Sequence, residues 1–402
     1  MRSKTLTALL LAGAALLGGA IGPLRSVPSS ADAPAQTVTR SAAAAAERGL
    51  SYVREARDTA APAALPRAES ALELSLRLQP RDNVTAYVGM AALANARHDF
   101  RRSVDWARKA IATNPYNAAA YGLRGDALFE LGKVKAADAA YQEMVSRRPD
   151  VASYVRASYA LQHHGRTRAA LRALRLALQA AGPSGETAAW VRHQIGDVYA
   201  GLGKLRRAAR ENRIGIEVAP GFVPPQVGLA ESLIGRGRLG RAVRIMERAV
   251  EQLPSLEYLT TLGDLYAATG RASEAREQYD AAAGTLAAYR AAGVLPDADF
   301  VVFYADHGLR LDAALREARA IYRDRPTAKT ADALAWVLHA HGRDTAAWRY
   351  AREAIAGPRP DASMLAHAAE IARALGKPAA ARTLAAEARG TMAPTITTPG
   401  RG

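Results

Sequence analysis

Apolar residues recur along this chain in helical periods, most clearly between residues 259 and 279. One stripe at spacings of three and four residues is formed by Leu259, Leu262, Leu265 and Tyr266, which predicts an amphipathic helix. Gly263 lies on that stripe, where a missing side chain allows another helix to approach closely. Gly270 is expected to end the helix, because glycine adopts the left-handed conformation there without a steric penalty. A second helix is predicted from 273 to 279, with Ala275 presenting a small face to Gly263.

The same pattern recurs along most of the chain. Turn glycines 33 to 38 residues apart stand at Gly132, Gly165, Gly203, Gly237, Gly270, Gly308, Gly342 and Gly376. An alanine follows each of them by five residues, and a small residue precedes seven of the eight by seven residues. Glycine accounts for only 32 of 402 residues, so eight glycines in one register indicate a repeated structural unit.

These units resemble the tetratricopeptide repeat, a 34-residue helix–turn–helix with small residues at these positions and a closing proline. The segments 121–149 and 262–279 follow the family pattern closely, although the family tryptophan is mostly replaced, by Tyr121, Tyr154 and Leu259. The resemblance covers residues 41–390 and implies an all-α, right-handed solenoid of about ten repeats over 41–389, with the first helices lining its concave face. It also implies a non-catalytic scaffold that binds a protein or peptide.

The first two units and two connections are less regular. Helices predicted over 41–57 and 65–78 form a degenerate unit closed by Pro80, and the next unit, 84–117, has His98 at its turn in place of glycine. Longer connections fall around 182–185 and 284–296. Either longer second helices or protruding loops would account for them.

The N-terminal residues 1–33 are typical of an export signal. Arg2 and Lys4 precede an uncharged, mostly apolar run over 6–22, and Ala31-Asp32-Ala33 supplies a small-x-small cleavage site. A helix of that length spans about 25 Å, short of the ~30 Å hydrocarbon core. Cleavage is therefore favoured, with an uncleaved anchor as the alternative. We expect a secreted or cell-envelope protein with a flexible leader at 34–40 and a disordered tail at 390–402.

No catalytic, cofactor or metal site is predicted. The run from Gly235 to Gly240 matches G-x-G-x-x-G, but it lies at a repeat turn between two helices rather than after a strand. The Gly-Lys pairs at 132, 203 and 376 lack the Ser or Thr of a phosphate-binding loop. The histidines at 163–164 and 339–341 are not spaced to share one helix face. Because the chain has no cysteine, disulfides and thiolate chemistry are excluded.

The repeat register predicts a binding groove. The residue after the small position of each first helix should face the concave side, and these residues are Asp126, Tyr159, Asp197, Glu231, Asp264, Val302, Trp336 and Glu370. Five of the eight are acidic, and Phe129 and Tyr159 add aromatic surface. We predict that the groove holds an extended protein or peptide segment with basic side chains. The competing interpretation is that polar residues at this position merely solvate the helices. Inner positions such as Val155, His193 and Val227 are mostly neither basic nor amide, which argues against a clamp for a terminal carboxylate.

The formal charge of +16 leaves an alternative function open. A basic convex face would suit an anionic polymer or lipid of the cell envelope, although an arginine-rich composition with solvated outer helices explains the charge more simply. No nucleic-acid partner is expected of an exported protein, and membrane contact is expected only through an uncleaved N-terminal segment. The last predicted helix, 378–388, shows no obvious polar cap, so self-association through the terminal repeat stays open.

Overall fold

The computed structural model describes residues 33–357 and 360–390. This part of the chain consists of α-helices joined by short connections and contains no strand. We number the helices in chain order: α1 Ala33–Asp58, α2 Ala64–Leu78, α3 Val84–Ala96, α4 Phe100–Thr113, α5 Ala118–Glu130, α6 Val134–Arg147, α7 Val151–His163, α8 Thr167–Ala181, α9 Glu186–Ala200, α10 Leu205–Val218, α11 Val223–Ile234, α12 Leu239–Gln252, α13 Leu256–Ala268, α14 Ala272–Ala291, α15 Ala298–His307, α16 Leu311–Asp324, α17 Ala328–Ala340, α18 Asp344–Ala354, α19 Ala362–Ala374 and α20 Pro378–Gly390.

The helices pair into ten hairpins, each a first (odd-numbered) helix and a second (even-numbered) helix. Polar side chains cap the N-termini of several first helices. Asn117 accepts a hydrogen bond from the Ala120 amide at 3.0 Å, and Ser255 accepts one from the Tyr258 amide at 3.2 Å. Each bond satisfies an amide that the helix itself leaves unpaired. Glycines end them in the predicted left-handed conformation. Gly132 has φ +72°, and the next amide, of Lys133, donates back to the Leu128 carbonyl at 2.8 Å, as in a Schellman motif. The predicted all-α solenoid of about ten hairpins is confirmed.

One turn departs from the predicted register. After Gly308, Arg310 also adopts a left-handed conformation, with φ +46°, so the turn is one residue longer and the second helix begins at Leu311. The buried alanine of this hairpin is consequently Ala314, which is fully buried. Ala313, predicted for that role, is only half-buried.

The irregular segments resolve in different ways. Residues 34–40, interpreted from sequence as a flexible leader, are part of α1. The first long connection is a loop over 182–185, whereas the second arises from α14, a 20-residue second helix, followed by a short segment. The export signal apart from its last residue, Ala33, and the tail apart from Gly390 lie outside the described residues.

The core consists of small residues at the hairpin contacts and larger apolar residues between hairpins. All eight predicted small positions are buried. The nearest atoms to Gly263 belong to the Tyr279 ring, rather than to Ala275 as predicted: a Cβ on Gly263 would lie 2.5 Å from Tyr279 Cε1. First helices of successive hairpins, such as α9 and α11 or α15 and α17, pack on each other, whereas second helices make no comparable contact in the described chain. Within each of the two units described below, the first helices therefore form the inner surface.

The described chain divides into two compact units. The N-terminal unit contains 33–156 and the segment 288–295, and the C-terminal unit contains 157–287 and 296–390 without 358–359. Within the N-terminal unit, that segment is docked at the turn between α3 and α4. The Leu295 amide donates to the Arg97 carbonyl at 2.9 Å, Arg97 Nε donates to the Ala292 carbonyl at 3.1 Å, and the His98 ring contacts the Leu295 carbonyl at 3.3 Å. His98 occupies the left-handed turn position with φ +60°.

None of the helices described is both long and apolar enough to cross a membrane.

Candidate functional site

Three hairpins share a glycine–aspartate pair on the first helix. The pairs are Gly125-Asp126 on α5, Gly196-Asp197 on α9 and Gly263-Asp264 on α13, and the residue 16 positions after each glycine is Tyr141, Asn212 or Tyr279. In each hairpin that residue covers the glycine: a Cβ there would lie 2.5 Å from Tyr141 Cε1, 2.7 Å from Asn212 Nδ2 or 2.5 Å from Tyr279 Cε1. The three positions are thus structurally equivalent, and their aspartates can be compared directly.

Asp126 differs from its predicted role as a groove carboxylate. It is only 5% exposed, and it binds the equally buried Arg156 guanidinium through Nη2–Oδ2 at 2.8 Å and Nε–Oδ1 at 2.9 Å. The Tyr141 hydroxyl donates to the same carboxylate at 3.2 Å. A buried carboxylate neutralised by a bidentate arginine has a structural role within the N-terminal unit.

Asp264 is half-buried and accepts a hydrogen bond from the Tyr279 hydroxyl at 3.0 Å. The Tyr279 ring in turn lies 3.9 Å from the His307 ring, measured between ring centres. The tyrosine therefore connects three successive helices, and Asp264 holds it in place.

Asp197 lacks this tyrosine hydroxyl, because Asn212 stands in the tyrosine's place. The shorter asparagine is turned to His193, whose Nδ1 lies 3.0 Å from Asn212 Oδ1, while Asn212 Nδ2 donates to the Ala208 carbonyl at 3.1 Å. Gly228 of α11 makes room for this pair, since a Cβ there would lie 2.5 Å from Asn212 Oδ1. The Asp197 carboxylate is left with His193 Nε2, at a long 3.5 Å.

The environment of this pair favours uncharged forms. The side chains of His193 and Asp197 are each 12% exposed. Burial raises the pKa of Asp197 to about 7. Burial also lowers the pKa of His193, against the opposing effects of the Asn212 hydrogen bond and the negative charge of Glu231. Near neutral pH the Asp197 carboxyl group is therefore partly protonated, and a nearby cation would favour its ionised form.

Glu231 and Tyr258 extend the site onto the next two first helices. Glu231 on α11 is half-buried and acts electrostatically on His193. Burial raises the pKa of the Tyr258 phenol on α13 well above its usual value, and the charges of Glu257, Glu231 and Asp197 add to that effect. We call Asp197, His193, Glu231, Tyr258 and Asn212 the inner polar cluster; all five belong to the C-terminal unit.

The remaining predicted site residues lie elsewhere. Trp336 donates from Nε1 to Asp306 Oδ1 at 2.6 Å and stacks on His367 with the ring centres 4.1 Å apart. Glu370 is exposed and paired with Arg373 of its own helix. Tyr159 and Phe129 are half-buried, the first in the C-terminal unit and the second in the N-terminal unit.

Sequence reasoning missed three members of the cluster, Asn212, Tyr258 and a functional part for His193. The sequence did contain a signal for Asn212: the residue 16 positions after the glycine is tyrosine in two of the three hairpins and asparagine in the third. Within residues 33–357 and 360–390, no three histidine or carboxylate side chains are grouped as a metal site would require.

Comparison with known proteins identifies the same repeat in part of the chain. Residues 118–151 match the family model of the tetratricopeptide repeat. A relative, anaphase-promoting complex subunit 7 of Arabidopsis thaliana, is 27% identical over 187 residues, or 46% of this chain and 33% of the relative. The chain thus matches about a third of that protein's length.

Similar solved structures include a hetero-tetramer and a dimer. The APC/C hetero-tetramer Cut9–Hcn1 superimposes with a TM-score of 0.49 at 14% identity, covering 85% of this chain and 73% of that chain. The human IFIT1 dimer with PPP-AAAA gives a TM-score of 0.47 at 18% identity, covering 73% of this chain and 69% of that chain. On its own helices, turns and packing, this chain is an α-solenoid of helix–turn–helix repeats, and its residues 118–151 match the tetratricopeptide repeat.

Proposed function

We propose that this protein is a non-catalytic scaffold whose inner surface binds an extended protein or peptide segment with basic side chains, and that Asp197 and Glu231 are the carboxylates that contact it. The observation that carries the proposal is the replacement of tyrosine by Asn212. Asp126 and Asp264 each accept a tyrosine hydroxyl, whereas the equivalent Asp197 has no such donor and retains unused hydrogen-bonding capacity.

A lysine or arginine from a partner would supply the missing donor and the missing charge. Hydrogen bonds to charged groups contribute about 1.5–3 kcal/mol, and the surroundings of Asp197 are sufficiently desolvated to strengthen such a contact. Tyr258 lies on the neighbouring first helix, so an extended segment crossing α9, α11 and α13 meets an aromatic surface as well as carboxylates. The predicted contribution of Asp126 is withdrawn, because that carboxylate is occupied by Arg156.

We place this activity outside the cytoplasm, secreted or in the cell envelope, on the strength of the signal-like residues 1–33. Sequencing the N-terminus of the protein from its native cells tests the compartment: a chain beginning near Pro34 supports export with cleavage. An N-terminus at Met1 in a soluble cytoplasmic fraction contradicts it.

Binding should depend on pH in a defined direction. A cationic side chain favours the ionised form of Asp197, whose pKa in the unbound protein is about 7, so complex formation releases a proton from part of the population. The affinity should therefore rise about tenfold between pH 6 and pH 8.

A displayed library of short random peptides, selected against the full chain at pH 8, tests the proposal directly. We expect the enriched peptides to carry lysine or arginine and Asp197→Asn to weaken their binding about 10–100-fold. Glu217→Gln is the matched control, since Glu217 is an exposed carboxylate on α10. Enriched peptides without basic residues, or equal affinity for Asp197→Asn and the wild type, would refute the groove.

A further inference from the structure

The outer surface of the C-terminal unit carries a regular array of arginines. The second helices α8, α10 and α12 each contribute three of them at helical spacing; a fourth exposed arginine of α10, Arg207, lies 5.7 Å from the centre of the Tyr199 ring and is not counted. The nine residues are Arg168, Arg172, Arg175, Arg206, Arg210, Arg213, Arg241, Arg244 and Arg248. All nine are exposed. Within each helix the spacing of three or four residues puts them on one face, in a stripe about 10 Å long. We call these nine residues the arginine array.

The array lacks neutralising partners. Among the described residues, no carboxylate lies within ion-pair distance of any of the nine. The two glutamates nearest in sequence pair with arginines outside these helices: Glu211 with Arg192 of α9 at 2.8 Å, and Glu247 with Arg271 of the turn before α14 at 3.1 Å. In the N-terminal unit unpaired arginines are fewer: Arg40, Arg48, Arg81 and Arg102 are exposed, whereas carboxylates pair with Arg57, Arg67, Arg77, Arg97, Arg108, Arg147, Arg148 and Arg156.

Composition alone does not explain this distribution. Residues 166–252 contain 15 basic and 7 acidic side chains, a formal charge of +8 out of +16 for the whole chain. Of the later second helices of the same unit, α14, α16 and α18 contain at least as many acidic as basic residues, and α20 has one more basic than acidic residue. If an arginine-rich composition were the only cause, the excess of positive charge would be spread over all the second helices.

The chemistry of the array suits phosphate. Arginine binds phosphate oxygens with two parallel hydrogen bonds and is weakly hydrated, so it exchanges water for phosphate readily. The array extends along each helix and across three successive hairpins. An array with two dimensions matches a surface of phosphates better than it matches one strand of nucleic acid. Leu176 is the one large apolar residue on these three helices that is exposed among the described residues, so the array offers no aromatic platform on which the bases of a single-stranded nucleic acid could stack.

We propose that the arginine array docks the protein on the anionic headgroups of a lipid bilayer, through the face opposite to the inner polar cluster. This docking is independent of peptide binding, because it uses second helices only. It presents the inner surface away from the bilayer.

Sedimentation of the full chain with phosphatidylcholine vesicles, with and without a third of phosphatidylglycerol, tests the proposal. We expect binding only to the anionic vesicles, with a steep loss at high salt. Replacing the central arginine of each stripe, Arg172→Gln with Arg210→Gln and Arg244→Gln, should weaken binding about 100-fold, at about a factor of five per arginine. The control removes three exposed arginines outside the array with the same charge change, Arg276→Gln with Arg316→Gln and Arg382→Gln.

Three outcomes would overturn the proposal. One is an absence of binding to the anionic vesicles. Another is an equal loss in the array and control variants, which would mean that net charge alone is responsible. The last is tight binding of single-stranded DNA or polyphosphate without binding of vesicles, which would assign the array to a polymer. Both variants contain the same N-terminal residues, so insertion of that segment cannot produce a difference between them.

Discussion

The contact between Gly263 and Tyr279 allows the packing of one hairpin to be tested quantitatively. In Gly263→Ala the added Cβ would lie 2.5 Å from Tyr279 Cε1 and 2.8 Å from Cδ1, whereas carbon atoms in good contact are about 3.5–4.0 Å apart. The ring must therefore move by about 1 Å. Overpacking of this kind costs about 1–3 kcal/mol, and the movement also disturbs the Tyr279–Asp264 hydrogen bond, which contributes about 0.5–1.5 kcal/mol.

An opposing gain comes from helix propensity. Alanine stabilises a helix interior by about 0.8–1.0 kcal/mol relative to glycine. The free energy of unfolding of Gly263→Ala should fall by about 0.5–3.7 kcal/mol once both costs and this gain are summed. Gly284→Ala is the matched control: Gly284 lies inside α14 and a Cβ there meets no atom within 4 Å, so this variant should be stabilised by about 0.8–1.0 kcal/mol.

Urea unfolding followed by far-ultraviolet circular dichroism measures both variants, and a double-mutant cycle isolates the contact. In a Tyr279→Ala background the ring is absent, and Gly263→Ala should change sign to become stabilising, like Gly284→Ala. Stabilisation by Gly263→Ala in the wild-type background, or the same destabilisation in both backgrounds, would refute the close-packing argument.

Three further predictions concern buried charges and the docked segment. Asp126→Ala should lower the free energy of unfolding by about 3–5 kcal/mol in urea titrations, because it leaves the Arg156 guanidinium buried without a counter-charge; a change below about 1 kcal/mol would contradict the buried pair. Between pH 4 and pH 7 the folded protein holds a proton on Asp197, pKa about 7, that the unfolded chain has released, so the free energy of unfolding should fall with rising pH by up to about 1.4 kcal/mol per unit relative to Asp197→Asn. Equal pH profiles for the two proteins would show that Asp197 ionises normally. Arg97→Ala removes the hydrogen bond to the Ala292 carbonyl, and the Leu295 amide should then exchange with deuterium faster; unchanged protection would mean that the segment is held by other contacts.

The fold was predictable because its determinants are local. A turn glycine, a small residue seven positions before it and an alanine five positions after it fix the packing of a hairpin, and these signals repeat. The register failed only after Gly308, where Arg310 adds a residue to the turn in a conformation that a non-glycine residue seldom adopts.

The candidate site was only partly predictable. The register identified the aspartates, but the fate of each carboxylate depends on a side chain 15 residues later and on the following hairpin. Arg156 neutralises Asp126 from α7, a partner 30 residues away. Asp197 lacks the hydroxyl donor because the residue opposite it is Asn212, whose side chain is shorter than tyrosine and bonds to His193 instead. Comparing the residue opposite each aspartate in the same hairpin would have distinguished Asp197 from Asp126. The polarity of the aspartate position alone could not distinguish them.

The docking of residues 288–295 on the turn at Arg97 introduces a delay into the making of the protein. The two partners are 195 residues apart, and a ribosome adds about 5–20 residues per second. The turn between α3 and α4 is therefore complete roughly 10–40 s before its docking segment exists. During that interval the Arg97 carbonyl and Nε, which later bind the segment, face water or a chaperone, while Nη1 can already pair with Glu69. Any chain released before residue 288 remains in that condition for its whole lifetime.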